Sequence, residues 1–185
     1  TRDMYMLGQH SIPSDTVCYP AQLMHGHIEN LLEKGVDAIF YPCMTYNIDE
    51  GRASNCYNCP VVAYYPELLQ ANVHALAEQD FMMPYFELSD PKRFARHAAK
   101  YFCGKYPQLR KKQVFAAADD AYLALADYYA QVREEGRKAI AYADTHGLEI
   151  AVLAGRPYHV DPEINHGIDQ LIASFGMVIV TEDAV

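Results

Sequence analysis

The chain has 185 residues, 51% of them apolar, with a formal net charge of −9 and a pI near 5.3. That acidity argues against a nucleic-acid-binding surface, and no stretch approaches the ~20 consecutive apolar residues of a membrane helix. The N-terminus, Thr1-Arg2-Asp3-Met4-Tyr5, lacks the apolar core of a secretory signal. The expected location is therefore cytoplasmic, where clustered cysteines bind metal or do chemistry rather than pair as disulfides. The chain does not begin with Met and stops just after the strand-like run Met177-Val178-Ile179-Val180, a pattern expected of a fragment.

In chain order, Tyr5-Met6-Leu7 reads as a short strand. Pro20 suits the first turn of a helix with Ala21, Met24, Ile28, Leu31 and Leu32 at helical spacing and Gly35 as its stop. Asp37 to Tyr41 reads as a buried strand, Thr45 to Tyr57 as a polar loop, and Val61 to Tyr64 as a second strand. Pro66-Glu67 opens a helix burying Leu69, Val73 and Leu76; Phe81 to Leu88 is a third strand. Ser89-Asp90-Pro91 is a strong helix start, with Phe94, Ala95, Ala98 and Phe102 on the buried face. From about Arg110 to His146 a seam of Phe115, Ala118, Tyr122, Leu125, Tyr129, Val132, Gly136, Ala139 and Ala143 alternates three and four apart. It predicts one long packing helix, with a bend at Gly136 and a stop at Gly147. Leu148 to Leu153 reads as a strand, followed by the loop 154–162, a helix capped by Asp161 and a last strand, the pattern of a parallel crossover unit.

The cysteines carry the functional reading. Cys18, Cys43, Cys56 and Cys59 follow C-x24-C-x12-C-x2-C, each where an element is predicted to begin or end. Thiolates bind iron–sulfur clusters and zinc alike. Zinc ribbons present two close Cys-x-x-Cys pairs; here only Cys56 and Cys59 are close. Cys18 precedes a helix start, where free amides and the helix dipole favour a thiolate, and Cys43 follows a predicted strand end, the usual active edge of a parallel sheet. An iron–sulfur site is expected, with Cys56 as an additional candidate fourth ligand; Cys103 reads as core. The alternative for each cysteine is a small buried hydrophobe.

Ser-Asp-Thr-Val-Cys-Tyr-Pro-Ala at 14–21, His-Gly-His at 25–27, Gly-Val-Asp-Ala-Ile-Phe-Tyr-Pro-Cys at 35–43 and Tyr-Asn-Cys-Pro at 57–60 carry a resemblance. So does Gly-Arg-Pro-Tyr-His-Val-Asp-Pro-Glu-Ile-Asn-His-Gly-Ile at 155–168. The chain resembles the region that follows the ATPase domains in acyl-CoA dehydratase activase-related proteins, the 2-hydroxyglutaryl-CoA dehydratase activator-like group. That region is similar to 2-hydroxyacyl-CoA dehydratase subunits and double-cubane cluster proteins. The resemblance implies Cys18, Cys43 and Cys59 as ligands of a [4Fe-4S] cluster, with Cys56 outside the pattern. It also implies partners: the ATPase domain of the same full-length protein, and an acyl-CoA dehydratase or acyl-CoA substrate. No phosphate-binding glycine loop is present, so ATP belongs to domains outside this segment. A homodimer is left open.

His25 and His27 flank the apolar face of the first helix. One is a candidate to orient a cysteine sulfur or move a proton near the cluster, and the favoured reading is that both are structural groups. Arg156 and His159, with His166 nearby, lie in a strand-to-helix loop suited to an anion; the bland alternative is a cap at Asp161 and a surface ion pair for Arg156. The expected fold class is α/β, with flavodoxin-like or Rossmann-like parallel-sheet lobes and a long connecting helix. The expected divisions are a cysteine-rich cluster-binding lobe at 1–108, a helical connector at 109–146, and the start of a second lobe at 147–185. The expected function is low-potential electron transfer or reductive activation in anaerobic metabolism. The alternatives are a radical acyl-CoA dehydratase subunit and a zinc-stabilised interaction module.

Overall fold

Two prolines shape the first sheet. In the computed structural model, which describes residues 1–51 and 53–185, β1 (Ala38–Phe40) pairs in parallel with β3 (Asp80–Met82), and β2 (Cys43–Tyr46) with β4 (Tyr85–Glu87). Between them the ladder continues, the Tyr41 amide donating to Met82 O at 2.8 Å and the Cys43 amide to Pro84 O at 2.9 Å. Pro42 and Pro84 have no N–H to add, so one pair of extended segments becomes two short ladders. The single strand expected over Phe81 to Leu88 is thus split at Met83-Pro84. Cys43, expected just past a strand end, instead starts β2 inside the paired region. Thr45 and Tyr46, expected in a loop, complete β2, and Tyr57 returns to form an antiparallel bridge with Tyr46.

The architecture is α/β, and the chain divides into two compact units, Thr1–Asp120 and Ala121–Val185. In the first unit, α2 (Tyr19–Glu33) and α3 (Pro60–Asn72) bury Ala21, Ile28, Tyr65 and Leu69 with Ile39 of β1, Val73 and Leu76. Full burial of a side chain such as Leu69 contributes roughly 1.5–3 kcal/mol before entropy is counted. The strand expected over Val61 to Tyr64 is instead part of the start of α3. Cys59 supplies an earlier start: its sulfur accepts the Val62 amide at 3.5 Å, with Pro60 in the first turn. Pro66, expected to open the helix, lies inside it and is fully buried. An interior proline costs a helix roughly 3 kcal/mol, so packing of Ala63, Tyr65 and Leu69 outweighs local preference here.

The N-terminal strand expected at Tyr5-Met6-Leu7 is a helix, α1 (Arg2–Gly8). It crosses α2 with backbone almost on backbone: a Cβ at Gly26 would fall 1.6 Å from Met4 O, and one at Gly8 2.1 Å from Gly26 N. Two glycines at the crossing admit a helix that a strand pattern in sequence concealed. After β4, Asp90 accepts the Lys92 and Arg93 amides at 2.9 and 3.0 Å and begins α4 (Pro91–Lys105), as its sequence predicts. Phe94 and Phe102 of α4 pack on Phe86 of β4 with ring centroids 5.2 and 6.5 Å apart.

The long helix forms as expected, α5 (Lys111–His146), and the division between units falls within it. From Ala118 to Ala143 the seam residues are its buried or half-buried side, and Gly147 ends it with φ +64°. In the second unit Gly136 serves close approach: a Cβ there would lie 1.8 Å from Ala184 O. β5 (Ile150–Leu153) and β6 (Val178–Thr181) pair in parallel, Ile150 opposite Val178. The helix expected to run on from Pro162 is split into α6 (Pro162–Asn165) and α7 (Ile168–Ser174). His166 (φ 55°) and Gly167 (φ 79°) are both left-handed, which no α-helix continues through. Asn165 bridges the break, its Oδ1 accepting the Asp169 amide at 3.2 Å. Ile168, Leu171 and Phe175, whose helical spacing in the sequence predicts an apolar side for this helix, are exposed. Among the described residues no helix is long and apolar enough to cross a membrane.

Candidate functional site around Cys18, Cys43 and Cys59

Cys18 and Cys59 stand at the N-caps of α2 and α3. The loop before Cys18 is held by Gln22, whose side-chain amide donates to Asp15 O (3.0 Å) and Val17 O (2.8 Å). Ser14 Oγ lies 2.7 Å from Thr16 Oγ1 and accepts the Thr16 amide at 3.2 Å. Cys18 is exposed, Cys56 and Cys59 half-buried, Cys43 fully buried, and all are free thiols. The segment carrying Cys59 is tied to the strand carrying Cys43: the Asn58 amide donates to Thr45 O at 3.0 Å and its side chain to Met44 O at 3.0 Å. The Asn47 amide donates to Cys56 O at 2.8 Å, so Cys56 lies in the segment returning along β2.

Burial pushes the Tyr41 phenol up to about 12, and Cys43 and then Cys18 add to the rise. Tyr65 is likewise pushed up to about 12, by burial, Tyr41 and Cys18. Burial raises the Cys43 thiol, Glu67 raises it further, and Tyr85 and the Glu67 backbone oppose them. The Tyr85 hydroxyl donates to Glu67 Oε1, which with burial and Cys43 holds Tyr85 up at about 12. Neutral phenols and a neutral Cys43 thiol are therefore the favoured states of this pocket near pH 7.

Behind it, His25 is buried between two hydroxyls. Ser11 Oγ spends its proton on Gly8 O at 3.1 Å, so it accepts from His25 Nδ1 at 2.8 Å. Nε2 is then the acceptor, and Tyr65 donates to it at 3.0 Å. Burial, then His10, lowers the His25 pKa, in accord with this neutral tautomer. His25 is the satisfied structural group its helical position predicts; His27 is exposed.

Among the described residues, no three His, Cys, Asp or Glu are grouped closely enough to hold a metal ion. The fold thus begins β2 at Cys43 and ties the Cys59 segment to that strand, without assembling a finished ligand set. Tyr41, Tyr65, Tyr85 and Glu67 were not among the candidates from sequence. Their signal was the recurrence of Tyr next to Pro, with a cysteine adjoining in Cys18-Tyr19-Pro20 and Tyr41-Pro42-Cys43 and without one in Tyr65-Pro66-Glu67 and Pro84-Tyr85.

In the second unit, Arg156 and His159 sit in the predicted loop, both exposed. The Arg156 amide donates to His159 Nδ1 at 2.9 Å, and a Cβ at Gly155 would lie 2.4 Å from that nitrogen, so the imidazole closes its own turn. Asp161 caps α6 by accepting the Glu163 amide at 2.9 Å, and α6 is a single short turn of four residues. His166 is exposed at the break before α7.

No curated protein and no solved structure matches this chain. A family model described as the CoA enzyme activase uncharacterised domain matches residues 1–185, the whole of it, and the chain belongs to that family.

Proposed function

We propose that this CoA enzyme activase domain holds an iron–sulfur cluster and relays low-potential electrons to the CoA enzyme that is activated, a 2-hydroxyacyl-CoA dehydratase by the resemblance of its motifs. Cys18, Cys43 and Cys59 are the proposed ligands. The observation that carries the reading is the tie between the segment that bears Cys59 and the strand that Cys43 begins, the Asn58 amide donating to Thr45 O and its side chain to Met44 O, both at 3.0 Å.

The donor set suits the group in its chemistry. Three free thiols stand at the starts of α2, β2 and α3. Helix-start amides at Cys18 and Cys59 favour the negative charge of thiolates and of a cluster. Closure is what binding must add: the exposed Cys18 loop moves toward buried Cys43, and Cys43 loses its proton against the influence of burial and Glu67. Bound there, a cluster would supply one-electron storage. The chain's part is to exclude water through Tyr41 and Tyr65, orient the sulfurs, and keep neutral hydroxyls around the charge. Energy from ATP would come from a separate domain.

The test is anaerobic reconstitution with iron and sulfide, followed by iron analysis and EPR. Cys18→Ser, Cys43→Ser and Cys59→Ser should each lose most of the iron, and Cys56→Ser and Cys103→Ser should keep it. Thermal unfolding of each variant separates loss of ligand from loss of fold. No iron uptake by folded wild-type protein, or stoichiometric zinc in a colourless anaerobic preparation, defeats the proposal.

A further inference from the structure

Eight of the chain's fifteen Lys and Arg lie between 92 and 112: Lys92, Arg93, Arg96, Lys100, Lys105, Arg110, Lys111 and Lys112. No acidic residue falls between Asp90 and Asp119. In an acidic protein this is a concentrated positive field. Two of the eight are spent locally, Arg93 on Glu87 at 2.6 Å and Lys105 on Asp80 at 2.7 Å.

Three others converge. Arg96 and Lys100 are one turn apart on α4, Lys111 opens α5, and all three line one cleft of about 500 Å³ within the first unit. Among the described residues none of the three has a salt-bridge partner. The cleft's other wall is apolar: Ala99, Cys103 and the partly exposed ring of Phe115. Gly104 leaves it open, since a Cβ there would meet no atom within 4 Å.

The placement of charge runs against helix stability. Cations at a helix N-terminus oppose the dipole, yet Lys111 and Lys112 occupy the first turn of α5 with no acidic residue there. An anion in the cleft would turn this unfavourable arrangement into a favourable one, the trade expected at functional sites. The volume falls in the usual range for small-molecule sites. A charged trio beside an aromatic ring fits a ligand with phosphates at one end and a flat base at the other.

We infer that the cleft between α4 and the start of α5 binds a nucleotide carrying at least two phosphate groups, its phosphates on Arg96, Lys100 and Lys111 and its base against Phe115. Coenzyme A and free nucleoside diphosphates share this chemistry. The site is remote in sequence from the proposed cluster ligands, so the two proposals fail separately.

The experiment is calorimetric titration of the full chain, at low ionic strength, with coenzyme A, ADP, inorganic pyrophosphate and polyglutamate in turn. Both nucleotides should bind, and added salt should weaken them. Arg96→Ala and Lys111→Ala should each weaken binding about tenfold, as loss of a charged hydrogen bond does. Gly104→Leu should abolish binding by filling the cleft, with the unfolding midpoint no lower than wild type. Alkylation of Cys103, followed by peptide mass spectrometry, should slow when nucleotide is present. Tighter binding of coenzyme A would assign the site to the thioester cofactor, and tighter binding of ADP to a free nucleotide; each supports the inference. Pyrophosphate binding as tightly as either nucleotide would overturn it. So would no heat with any probe, affinity unchanged in all three variants, or binding of polyglutamate alone, which would mark an acidic-protein surface.

Discussion

The hydroxyl of Tyr65 donates to Nε2 of His25 across 3.0 Å, joining α3 to α2 through two side chains forty residues apart. Because Ser11 accepts from Nδ1, both ring nitrogens are used only while the imidazole is neutral. Burial, then Tyr41 and Cys18, push the Tyr65 phenol up to about 12, so the donor of this bond stays protonated.

That arrangement makes stability depend on pH. The folded-state pKa of His25 lies below its ordinary 6.5, so the unfolded chain takes up a proton first on acidification. His25's contribution is complete above 6.5 and is lost as pH falls through the depressed folded value. The melting temperature should drop between pH 7.5 and pH 5, and less steeply in His25→Gln, whose amide cannot titrate. Equal slopes in the two proteins would remove His25 as the titrating group.

The thiols should react in a definite order. Cys18 is exposed, whereas Cys43 is fully buried with its thiol pushed up by burial and Glu67. Since the thiolate is the reacting species, iodoacetamide at neutral pH should label Cys18 early and Cys43 last, as read by peptide mass spectrometry. Unfolding in denaturant should erase the difference. Early labelling of Cys43 in native protein would contradict its burial.

The α1–α2 crossing should tolerate no side chain. Gly26→Ala would place a methyl 1.6 Å from Met4 O, a backbone atom that cannot swing aside. Overpacking of this kind costs at least ~2 kcal/mol, and for a chain of this size lowers the melting temperature by roughly 5 °C. Gly104→Ala, with no atom within 4 Å of its new Cβ, should leave stability equal or raised. Differential scanning calorimetry of the pair checks both; a neutral Gly26→Ala would mean that α1 is not packed on α2.

Legibility followed the range of the forces. The α5 seam was readable because one long helix needs only its own periodicity, and α4 because Asp90-Pro91 is a local start signal. The failures share a cause. Tyr5-Met6-Leu7 is apolar enough for a strand, and only the contact of Gly8 with Gly26 makes it a helix. Pro66 looked like a helix start and is buried mid-helix because Tyr65 and Leu69 are needed in the core. The break after Asn165 rests on two left-handed residues, one of them a histidine, which composition does not announce.

The sequence by itself determined the α/β class, the long helix, and the standing of Cys18 before a helix, since alternation, spacing and capping act between near neighbours. Only the tertiary structure decided that Cys59 caps α3, that Cys43 begins a paired strand, and that Arg96, Lys100 and Lys111 share one cleft. Those relations arise when distant segments are brought together by burial of apolar surface, a force without direction that leaves no mark at any one position in the chain.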